Sequence, residues 1–511
     1  MGLFILAVER STAVFLAYFP LPRAADYWFH LRNPGEFFGC TACWAGMDSL
    51  TDWAEEVFGD ADLGDVRRTR RLVRMAAEAA RNPSGKIADV YRSGADLQGA
   101  YDFIESKHVG ATAIGLAIAE STALRCNTYD WVYVPVDGSS IKLWDGTDGS
   151  KDFGAIGTYR NGATGLKLEN ALAVAPDGVP IGVAAQVWWS RPRRRPKKRR
   201  PAYKEPVAKK ETRHLLACID QVAQSFAKCA PKTKCWFQMD RGCDAQYVLL
   251  HLAASGHLFT VRSQSMRRML TVGARKLWLK DALRRQPQQG QFVLDLPKTE
   301  SRAPRRATMI VRSKFVTLSM RDKWTGKRFD LPINVVLVQE QSRRSDRVDW
   351  LLLTNQPITA FEQSMAVVQG YTQRWRIEEF HKTLKTGACN TEETQLHCSD
   401  RVIRWATVLS AVAARIERLK ILARTSPDLP ASEELTSPEL QALILLKQRR
   451  KKANEVLPKH PTIADATRWI AELGGYTGKS SGGPPGTITI ARGLERLAVA
   501  ADLVSALSKM R

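Results

Sequence analysis

Three strand-like runs, followed by an alternation of helix and strand, dominate the middle of this 511-residue chain. The first run is WVYVPVD at 131–137, and two more lie in GLKLENALAVAPDGVPIGVAAQVWW at 165–189, where a PDG turn joins them as a hairpin. Helical and strand patterns then alternate from ETRHLLACIDQVAQSFAK at 211–228, through CWFQMD, to HLFTVRS at 257–263. This order predicts an α/β domain built around one sheet.

Two aspartates stand at the ends of strand-like runs in this region. Asp137 closes the first run, and Asp240 closes the fourth run, CWFQMD. The order of elements resembles the ribonuclease H-like fold, which carries acids at the ends of its first and fourth strands. We therefore predict an α/β chain with a ribonuclease H-like catalytic core over 126–400.

A third acid, Glu378, lies in a helical pattern farther along the chain, YTQRWRIEEFHKTLKTG at 371–387. At about 100° per residue, four polar side chains fall within about 60° of one helix face: Tyr371, Arg374, Glu378 and Lys385. A second, apolar stripe lies roughly opposite and consists of Ile377, Phe380 and Leu384. One face is predicted to pack on the sheet while the other meets a phosphate backbone. A structural ion-pair face is the alternative.

Two aspartates and a glutamate that converge would suit divalent metal ions. Phosphodiester cleavage needs a nucleophilic oxygen in line with the leaving oxygen, and two metals about 3.5–4 Å apart stabilise both. Magnesium prefers a few carboxylate oxygens together with water and substrate phosphate. We predict two Mg²⁺ ions per site on Asp137, Asp240 and Glu378, with Mn²⁺ as an alternative because it accepts the same oxygen ligands.

The charge balance of the chain points to a polyanionic partner. Lys and Arg number 76 against 52 Asp and Glu, which gives a formal charge of +24 and a pI near 9.8. Such an excess favours nucleic acid or an anionic membrane surface. No apolar run reaches the roughly 18 residues that a membrane span needs, so we predict a DNA partner and no membrane. With 44% hydrophobic residues, a fibrous or wholly disordered chain is excluded.

Two basic segments are candidates for phosphate contact. In LGDVRRTRRLVRMAAEAARNP, four arginines share one side of a predicted helix: Arg67, Arg70, Arg71 and Arg74. The opposite side carries a small apolar stripe of Leu72, Val73, Ala76 and Ala80. The loop over 190–213 holds twelve Lys and Arg against two Glu and is punctuated by proline, as in a disordered DNA-binding arm. A solvated surface helix and a solvated tether are the alternatives.

The first 46 residues form a leader that we expect not to be translated, because well-patterned sequence begins only at Met47. The nine cysteines are scattered, and the one close pair, Cys40 and Cys43, lacks zinc-ligand spacing to a second pair. Reduced thiols in a cytoplasmic protein are therefore expected.

Three further regions complete the predicted organisation. Residues 47–125 read as a helical domain, 264–347 as a β-rich insertion into the core, and 401–511 as a second helical domain. The last helix carries an apolar face made of Leu494, Leu497, Ala501 and Val504. Packing of this face against the domain and packing against a second copy are both open.

Several blocks of the sequence resemble one family of enzymes. The string YTQRWRIEEFHKTLKTG resembles the YREK signature of the bacterial DDE transposases of the IS-four family, the Tn-five transposase group. WAEEVFGDADLGDVRRTRRLVRMAA resembles the group's amino-terminal end-binding domain, and AELGGYTGKSSGGPPGTITIARGLERL is similar to its dimerisation region. VDGSS and MDRGCDAQYV occupy the places of the first two catalytic acids, and FTVRS and WLLLTNQP match further core blocks. The resemblance covers about 47–511.

The resemblance implies roles for individual residues. Asp137, Asp240 and Glu378 would be the catalytic metal ligands. The residues that it places on DNA near the cut are Tyr371, Arg374, Lys385 and Arg262. Trp350 matches the aromatic residue on which a flipped base stacks while the DNA end forms a hairpin, with a core tryptophan as the alternative. Two departures stand out: Gly138 and two serines replace a usual threonine pair, and RGCD replaces READ after the second acid.

The function implied is cut-and-paste DNA transposition. A homodimer in a synaptic complex would bind two double-stranded transposon ends, cleave them through a hairpin intermediate, and join the 3′ ends to target DNA. A bacterial cytoplasmic, nucleoid-associated location follows from that activity. A ribonuclease H-like nuclease without joining activity and a catalytically idle DNA-binding inhibitor of transposition are the rival hypotheses.

Overall fold

The structure of the chain is a computed structural model. The residues it describes are 6–8, 49–91, 93–144, 153–159, 162–193, 205–264, 268–272, 275–296, 303–322, 324–451, 453–478 and 483–510. The predicted leader lies outside the described residues except for Leu6–Val8, and so do Cys40, Cys43 and Met47. The middle of the basic loop, 194–204, also lies outside them.

The described residues form α-helices at both ends of the chain and strands in the middle. The helices are α1 (Leu50–Phe58), α2 (Val66–Arg81), α3 (Ile87–Val90), α4 (Gly94–Glu105), α5 (Ala111–Cys126), α6 (Thr212–Cys229), α7 (Gln246–Ala254), α8 (Leu279–Arg284), α9 (Phe361–Thr372), α10 (Trp375–Lys385), α11 (Ser399–Thr425), α12 (Ser437–Arg450), α13 (Ile463–Leu473) and α14 (Thr487–Lys509). The strands are β1 (Leu6–Val8), β2 (Trp131–Lys142), β3 (Gly154–Ala155), β4 (Thr164–Val174), β5 (Pro180–Trp189), β6 (Lys234–Met239), β7 (Leu258–Arg262), β8 (Met269–Val272), β9 (Arg275–Trp278), β10 (Gly290–Leu296), β11 (Arg305–Arg321), β12 (Arg328–Glu340) and β13 (Asp349–Thr354). No helix among these is both long and apolar enough to cross a lipid bilayer.

Eleven of the described strands form one mixed sheet. Their order is β1-β10-β11-β12-β13-β7-β6-β2-β4-β3, with β5 paired to β4. At the centre, β2, β6 and β7 run parallel to one another, while β4 runs antiparallel to β2 and to β5. The predicted α/β class, with a central sheet and helical ends, is confirmed.

The predicted succession of three strands and then alternating helix and strand is also confirmed. β2, β4 and β5 are followed by α6, β6, α7 and β7. The PDG turn joins β4 to β5, and Gly178 within it has a φ of +89°, a left-handed conformation that glycine adopts without steric cost. Asp177 holds the same turn because its Oδ1 accepts the Val179 N–H at 3.0 Å.

Helices cover both sides of the central strands, so these strands are apolar on both sides. On β2, Val132, Val134 and Val136 pack with residues of α5 and α6. Tyr133 points the other way, into the same core as Trp236 of β6 and the apolar residues of α9 and α10. We call this second side of the sheet the Tyr133 face.

The predicted β-rich insertion over 264–347 extends the central sheet. β10, β11 and β12 pair in succession as antiparallel neighbours, and β12 then pairs with β13, which lies beside β7. β11 and β12 form a long hairpin whose last register pair is Arg321 with Arg328. The hairpin end therefore projects from the sheet that carries the central parallel strands.

The arginine-rich helix of the N-terminal region forms as predicted. α2 begins after Asp65, whose Oδ1 accepts the Arg67 N–H at 2.9 Å and so satisfies a free donor of the first turn. The predicted apolar stripe is buried throughout and comprises Leu72, Val73, Ala76 and Ala80. Helix α2 packs on α1, α4 and α11 with this stripe, which leaves its arginine side outward.

The predicted apolar face of the last helix packs within the chain. Leu494, Leu497 and Ala501 are buried, and α14 lies against α12 and α13. A second set of apolar residues on the same helix is exposed and includes Val499, Leu503 and Leu507. The face predicted from the sequence therefore stabilises the C-terminal helices, and a different face is open to a partner.

Candidate active site

Sheet register brings Asp137 and Asp240 together. The parallel pairing of β2 with β6 ends at Pro135 opposite Gln238. Two residues farther along both strands lie Asp137 and Asp240, so the same register places them side by side at the roughly 4.8 Å spacing of neighbouring strands. Because side chains alternate along a strand, both carboxylates share the Tyr133 face.

β2 does not end at Asp137, as the run WVYVPVD had suggested, but continues to Lys142. Its parallel neighbour ends, while the antiparallel pairing with β4 continues and sets Asp137 opposite Asn170. At Asp137, β2 is therefore paired with a neighbouring strand on one side only. Its Oδ1 accepts the N–H of Gly138 at 2.9 Å.

Asp240 follows β6 and begins a short turn. Its Oδ1 accepts the Gly242 N–H at 2.7 Å, which orients the carboxylate at the strand end. The next acid of the RGCD string, Asp244, has a structural role: it forms an ion pair with Arg268, and its Oδ2 accepts hydrogen bonds from Ser263 Oγ and the Gln264 N–H at 2.8 Å. That contact fixes the loop after β7 beside the loop that carries Asp240.

The segment that carries Glu378 is broken into two helices, so the prediction of one continuous helix over 371–387 is wrong. α9 ends at Thr372, and α10 begins at Trp375. At the junction, the Gln373 and Arg374 N–H groups donate to carbonyls three residues back, at 3.0 and 3.2 Å, instead of four. Tyr371 thus ends one helix, while Glu378 lies in the first turn of the next.

Close packing of α9 on the sheet accompanies this break. A Cβ at Gly370 would lie 2.7 Å from the Tyr133 ring and 3.0 Å from Gln238 Nε2, so only glycine permits the approach. The apolar stripe predicted for the second helix is fully buried and consists of Ile377, Phe380 and Leu384. Both helices therefore lie on the Tyr133 face, the face of the two aspartates.

Glu378 is paired with Arg374. The Arg374 Nη2 lies 2.7 Å from Glu378 Oε1, and the guanidinium also lies over the ring of Trp375 at 5.1 Å. Arg374 is only 7% exposed, whereas the indole of Trp375 is 47% exposed beside it. Sequence reasoning did not single out Trp375, although an aromatic residue three positions before Glu378 was visible in the string.

Electrostatics show that the acids share one neighbourhood. The pKa of Asp137 is raised to about 6, chiefly by burial and also by the negative charges of Asp240 and Glu378, against which the positive charge of Arg374 acts. Within the described residues, no three His, Cys, Asp or Glu side chains are already arranged as metal ligands. The donor chemistry nevertheless fits magnesium, because Asp137 and Glu378 each engage one oxygen in the contacts with Gly138 and Arg374.

A fourth acid, Glu169, lies on the neighbouring strand close to Asp137, with its side chain on the opposite side of the sheet, and was missed by sequence reasoning. It pairs in register with Gly138, and its Oε2 lies 2.7 Å from where a Cβ on that glycine would be. Burial raises its pKa to about 7, and the charge of Asp137 raises it further. Its position inside the apolar run GLKLENALAV was the signal in the sequence that could have identified this acid.

A buried polar chain ties α10 to the sheet beside Asp137. Asn170 Nδ2 lies 3.0 Å from His381 Nε2, and Gln186 Nε2 donates to Asn170 Oδ1 at 3.0 Å. Burial lowers the pKa of His381 to about 3, so the imidazole is neutral at physiological pH. Since His381 lies one helical turn after Glu378, this chain fixes the position of the glutamate relative to β4.

Comparison with known protein families matches two segments of the chain. Residues 50–109 match a family described as Transposase DNA-binding, and residues 411–507 match one described as Transposase Tn5 dimerisation domain. These two matches support a Tn5-like transposase. The resemblance stated from the sequence is thereby confirmed, and the transposase carries a DNA-binding domain near one end and a dimerisation domain near the other.

In the DNA-binding segment of the transposase, the arginine side of α2 is divided. Arg67, Arg70 and Arg74 are exposed and Arg71 is half-buried, and Arg71 and Arg74 lie 3.8 and 2.9 Å from Asp96 of α4. Arg67 also pairs with Asp65 at 3.0 Å. Such exposed pairs exchange readily for phosphate contacts, because each contributes at most about 1 kcal/mol.

The aromatic residue expected to stack on a flipped base is covered in the transposase structure. Trp350 is 9% exposed, and its ring meets that of Tyr371 edge-on, with ring centroids 5.6 Å apart. Tyr371 is itself buried. A base could stack on Trp350 only after this aromatic pair opens.

The remaining basic residues expected on DNA have protein partners. Lys385 Nζ lies 3.7 Å from Glu392, whose Oε1 also accepts the Lys142 N–H at 3.0 Å, so Lys385 sits beside the far end of β2. Arg262 pairs in register with Leu352 and donates to the Asp349 carbonyl at 3.3 Å. Both cations lie on strands or helices that adjoin the acids.

Proposed function

We propose that this transposase performs cut-and-paste DNA transposition as a member of the IS-four family, with a ribonuclease H-like core and a DDE site made of Asp137, Asp240 and Glu378. The observation that carries the proposal is that Asp137 and Asp240 each lie two residues beyond the last register pair of two adjacent parallel strands, and that the charges of Asp240 and Glu378 both raise the pKa of Asp137. The order of β2, β4, β5, α6 and β6 supports the ribonuclease H-like reading.

Asp137, Asp240 and Glu378 would hold two Mg²⁺ ions, with Mn²⁺ as a substitute. When bound, the ions activate the attacking oxygen and stabilise the leaving oxygen of the scissile phosphate. Asp137 must be ionised to act as a ligand, but its pKa is raised. A neighbouring positive charge lowers that pKa and so favours the ionised carboxylate.

Arg374 is expected to change partner during the reaction. Its guanidinium now neutralises Glu378 at 2.7 Å. If Glu378 held a cation, the Arg374 guanidinium would be available to meet the charge on the reacting phosphate, where bidentate contact suits its fork of donors. Lys385, two turns beyond Glu378 along α10, would supply a second positive charge at the same edge.

DNA contacts are proposed on both sides of the acids. Tyr371, Arg374, Lys385 and Arg262 would contact DNA near the cut, while the exposed arginine side of α2 would hold the transposon end farther away. Trp350 would stack on a flipped base as the end folds into a hairpin. Two copies, joined through the C-terminal domain, would pair the two ends and join their 3′ hydroxyls to target DNA in the bacterial cytoplasm.

The test uses purified transposase, Mg²⁺ and a duplex carrying the inverted repeats that flank its gene, with products resolved on a denaturing gel. We expect metal-dependent nicks, hairpins and joined products from the wild type. Asp137→Asn should bind the duplex normally and give none of them. The same change at Asp220, an exposed acid of α6 bonded to His251, should leave all three intact.

The rival functions give different outcomes in the same test. Nicks without hairpins or joined products would identify a nuclease. Binding without any metal-dependent nick would identify an inhibitor of transposition. Cleavage by Asp137→Asn at the wild-type rate would remove that carboxylate from the site.

A further inference from the structure

The end of the β11–β12 hairpin presents an exposed tryptophan among cations. Trp324 is 48% exposed, although tryptophan is usually covered when no partner is needed. Three exposed basic residues surround it in the chain: Arg321, Lys327 and Arg328. An aromatic ring between phosphate-binding cations is the side-chain combination with which proteins hold nucleic acid.

This hairpin end is rigidly built. The buried carboxylate of Asp322 accepts the Trp324 N–H through Oδ1 and the Thr325 hydroxyl through Oδ2, both at 2.8 Å. Gly326 closes the turn with a φ of +74°, and its N–H donates to the Asp322 carbonyl at 2.7 Å. The hydrogen bond from Tyr247 lowers the pKa of Asp322 to about 2, so the carboxylate is charged and the turn is held at all pH values near neutrality.

The contact with Tyr247 ties the hairpin end to the helix that follows Asp240. Tyr247 Oη donates to Asp322 Oδ1 at 2.6 Å from the first turn of α7. Tyr247 is the seventh residue after Asp240, so the two lie at most about 25 Å apart, less than one helical turn of duplex DNA. The Lys210 ammonium also lies over the Tyr247 ring, at 4.4 Å, so the end of the basic loop reaches the same point.

We propose that Trp324, with Arg321, Lys327 and Arg328, grips the transposon-end duplex next to the cut. The cations contact phosphates, and the indole packs on a base or sugar face exposed in a groove. The proposal rests on the proposed function for the position of the cut. The duplex being cut is the favoured occupant because the hairpin end is anchored to the loop and helix that follow Asp240.

The first experiment measures binding of the inverted-repeat duplex by fluorescence anisotropy in EDTA, so that no cleavage occurs. We expect Trp324→Ala to weaken binding by roughly 5- to 100-fold, the range of lost aromatic stacking on nucleic acid. Lys327→Ala and Arg328→Ala should each reduce the salt dependence of log K by about one unit of slope. Phe315→Ala is the matched control, because Phe315 is a 64% exposed aromatic residue on β11, away from the hairpin end.

Hydroxyl-radical footprinting of the same complexes locates the contact. Trp324→Ala should lose protection within one helical turn of the cut and keep protection elsewhere, with an unchanged melting temperature. Wild-type affinity and footprint in Trp324→Ala would overturn the proposal. Normal end binding and cleavage with a defect only in target joining would also overturn it, by assigning the hairpin end to target DNA.

Failure of the proposed function gives a separate result. If the wild-type protein binds the duplex through Trp324 but never nicks it, the DDE chemistry fails while the hairpin contact stands. If the wild-type protein nicks and joins while Trp324→Ala behaves identically, only the hairpin contact fails.

Discussion

At the scale of single residues, the candidate site is an accumulation of buried negative charge. Asp137 and Glu169 lie on neighbouring strands and both have a raised pKa because burial disfavours their charged forms. Arg374 offsets part of this charge through its ion pair with Glu378. Buried negative charge lowers the stability of the folded protein, and a bound cation would offset it.

Glu169→Gln should stabilise the protein at alkaline pH. The folded-state pKa of Glu169, about 7, exceeds its ordinary value of 4.5, so folding favours the protonated acid. The contribution of Glu169 to stability is therefore fully present below about pH 4.5 and is lost as the pH rises through 7. This loss lowers the free energy of unfolding by up to roughly 3 kcal/mol. In EDTA, thermal unfolding of the variant should match the wild type at pH 4.5 and occur at a higher temperature at pH 8. Equal melting temperatures at pH 8 would contradict the burial of a charge at this position.

Trp350→Ala should uncouple nicking from hairpin formation. Loss of the stacking surface should leave the first nick intact and reduce the hairpin yield by roughly 5- to 100-fold on a denaturing gel. Because Trp350 is buried against Tyr371, its truncation also costs about 3–5 kcal/mol of folding stability. Trp350→Phe keeps an aromatic ring and should retain most hairpins. A normal yield from Trp350→Ala would leave this tryptophan a core residue.

At the scale of elements, α10 is oriented by buried ion pairs on the side away from Glu378. Glu379, next to Glu378, meets Arg376 at 3.1 Å and Lys420 of α11 at 3.4 Å. Lys420 also pairs with Glu417, whose Oε1 accepts the Thr383 hydroxyl at 2.5 Å. Although burial alone would raise the pKa of Glu379, Lys420 and Arg376 lower it. This network keeps Glu379 inward and leaves Glu378 facing the aspartates.

Lys420→Met should therefore be strongly destabilising. It leaves two buried carboxylates without their shared cation, which costs about 3–5 kcal/mol in the free energy of unfolding. Adding Glu417→Gln to the same protein should recover part of the loss. Lys228→Met is the control, because Lys228 pairs with Glu120 at 2.7 Å on the surface and should change stability by at most about 1 kcal/mol. Urea unfolding measures all three, and equal effects of the two lysine changes would contradict the argument.

At the scale of the whole molecule, the DNA-binding and dimerisation segments meet. The DNA-binding segment and the dimerisation segment flank the sheet in sequence, yet α2 and α14 are in contact, and Arg81 of α2 lies 3.5 Å from Asp502 of α14. The helix that carries the arginine side thus touches the helix that carries the exposed apolar residues. DNA binding and dimerisation are expected to influence each other through this contact.

Leu503→Glu combined with Leu507→Glu should abolish pairing of two DNA ends. Both leucines are exposed on α14 within the matched dimerisation segment, and burial of each in an interface contributes about 1.5–3 kcal/mol. Native gels with duplexes of two lengths should lose the mixed complex while single-end binding persists. Val456→Glu, at an exposed apolar residue outside that helix, should keep the mixed complex. A persisting mixed complex in the double variant would place the interface elsewhere.

Local patterns in the sequence were enough to predict the types of elements and the faces of helices. The spacing of apolar residues over short windows predicts the succession of elements along the chain from β2 to β7 and the PDG hairpin. The same spacing predicts the buried stripe of α2 and the apolar side of α10. The three acids were singled out from two strand-like runs and a helical pattern, although β2 continues past Asp137 and the helix before Glu378 is broken, and their role as metal ligands stays a prediction. The matched DNA-binding and dimerisation segments agree with the blocks quoted from the sequence.

Tertiary structure alone decided how these pieces meet. The register of β2 against β6 sets Asp137 beside Asp240, and the contact of Gly370 with Tyr133 brings α9 onto the sheet. The approach of Glu169 to Gly138 depends on the pairing of two strands that are distant in the sequence. The covering of Trp350 depends on where α9 ends, because Tyr371 lies in its last turn. Apolar periodicity is a local property that each segment carries by itself, whereas register and side-chain burial depend on which distant surfaces pack together, and no single segment specifies that.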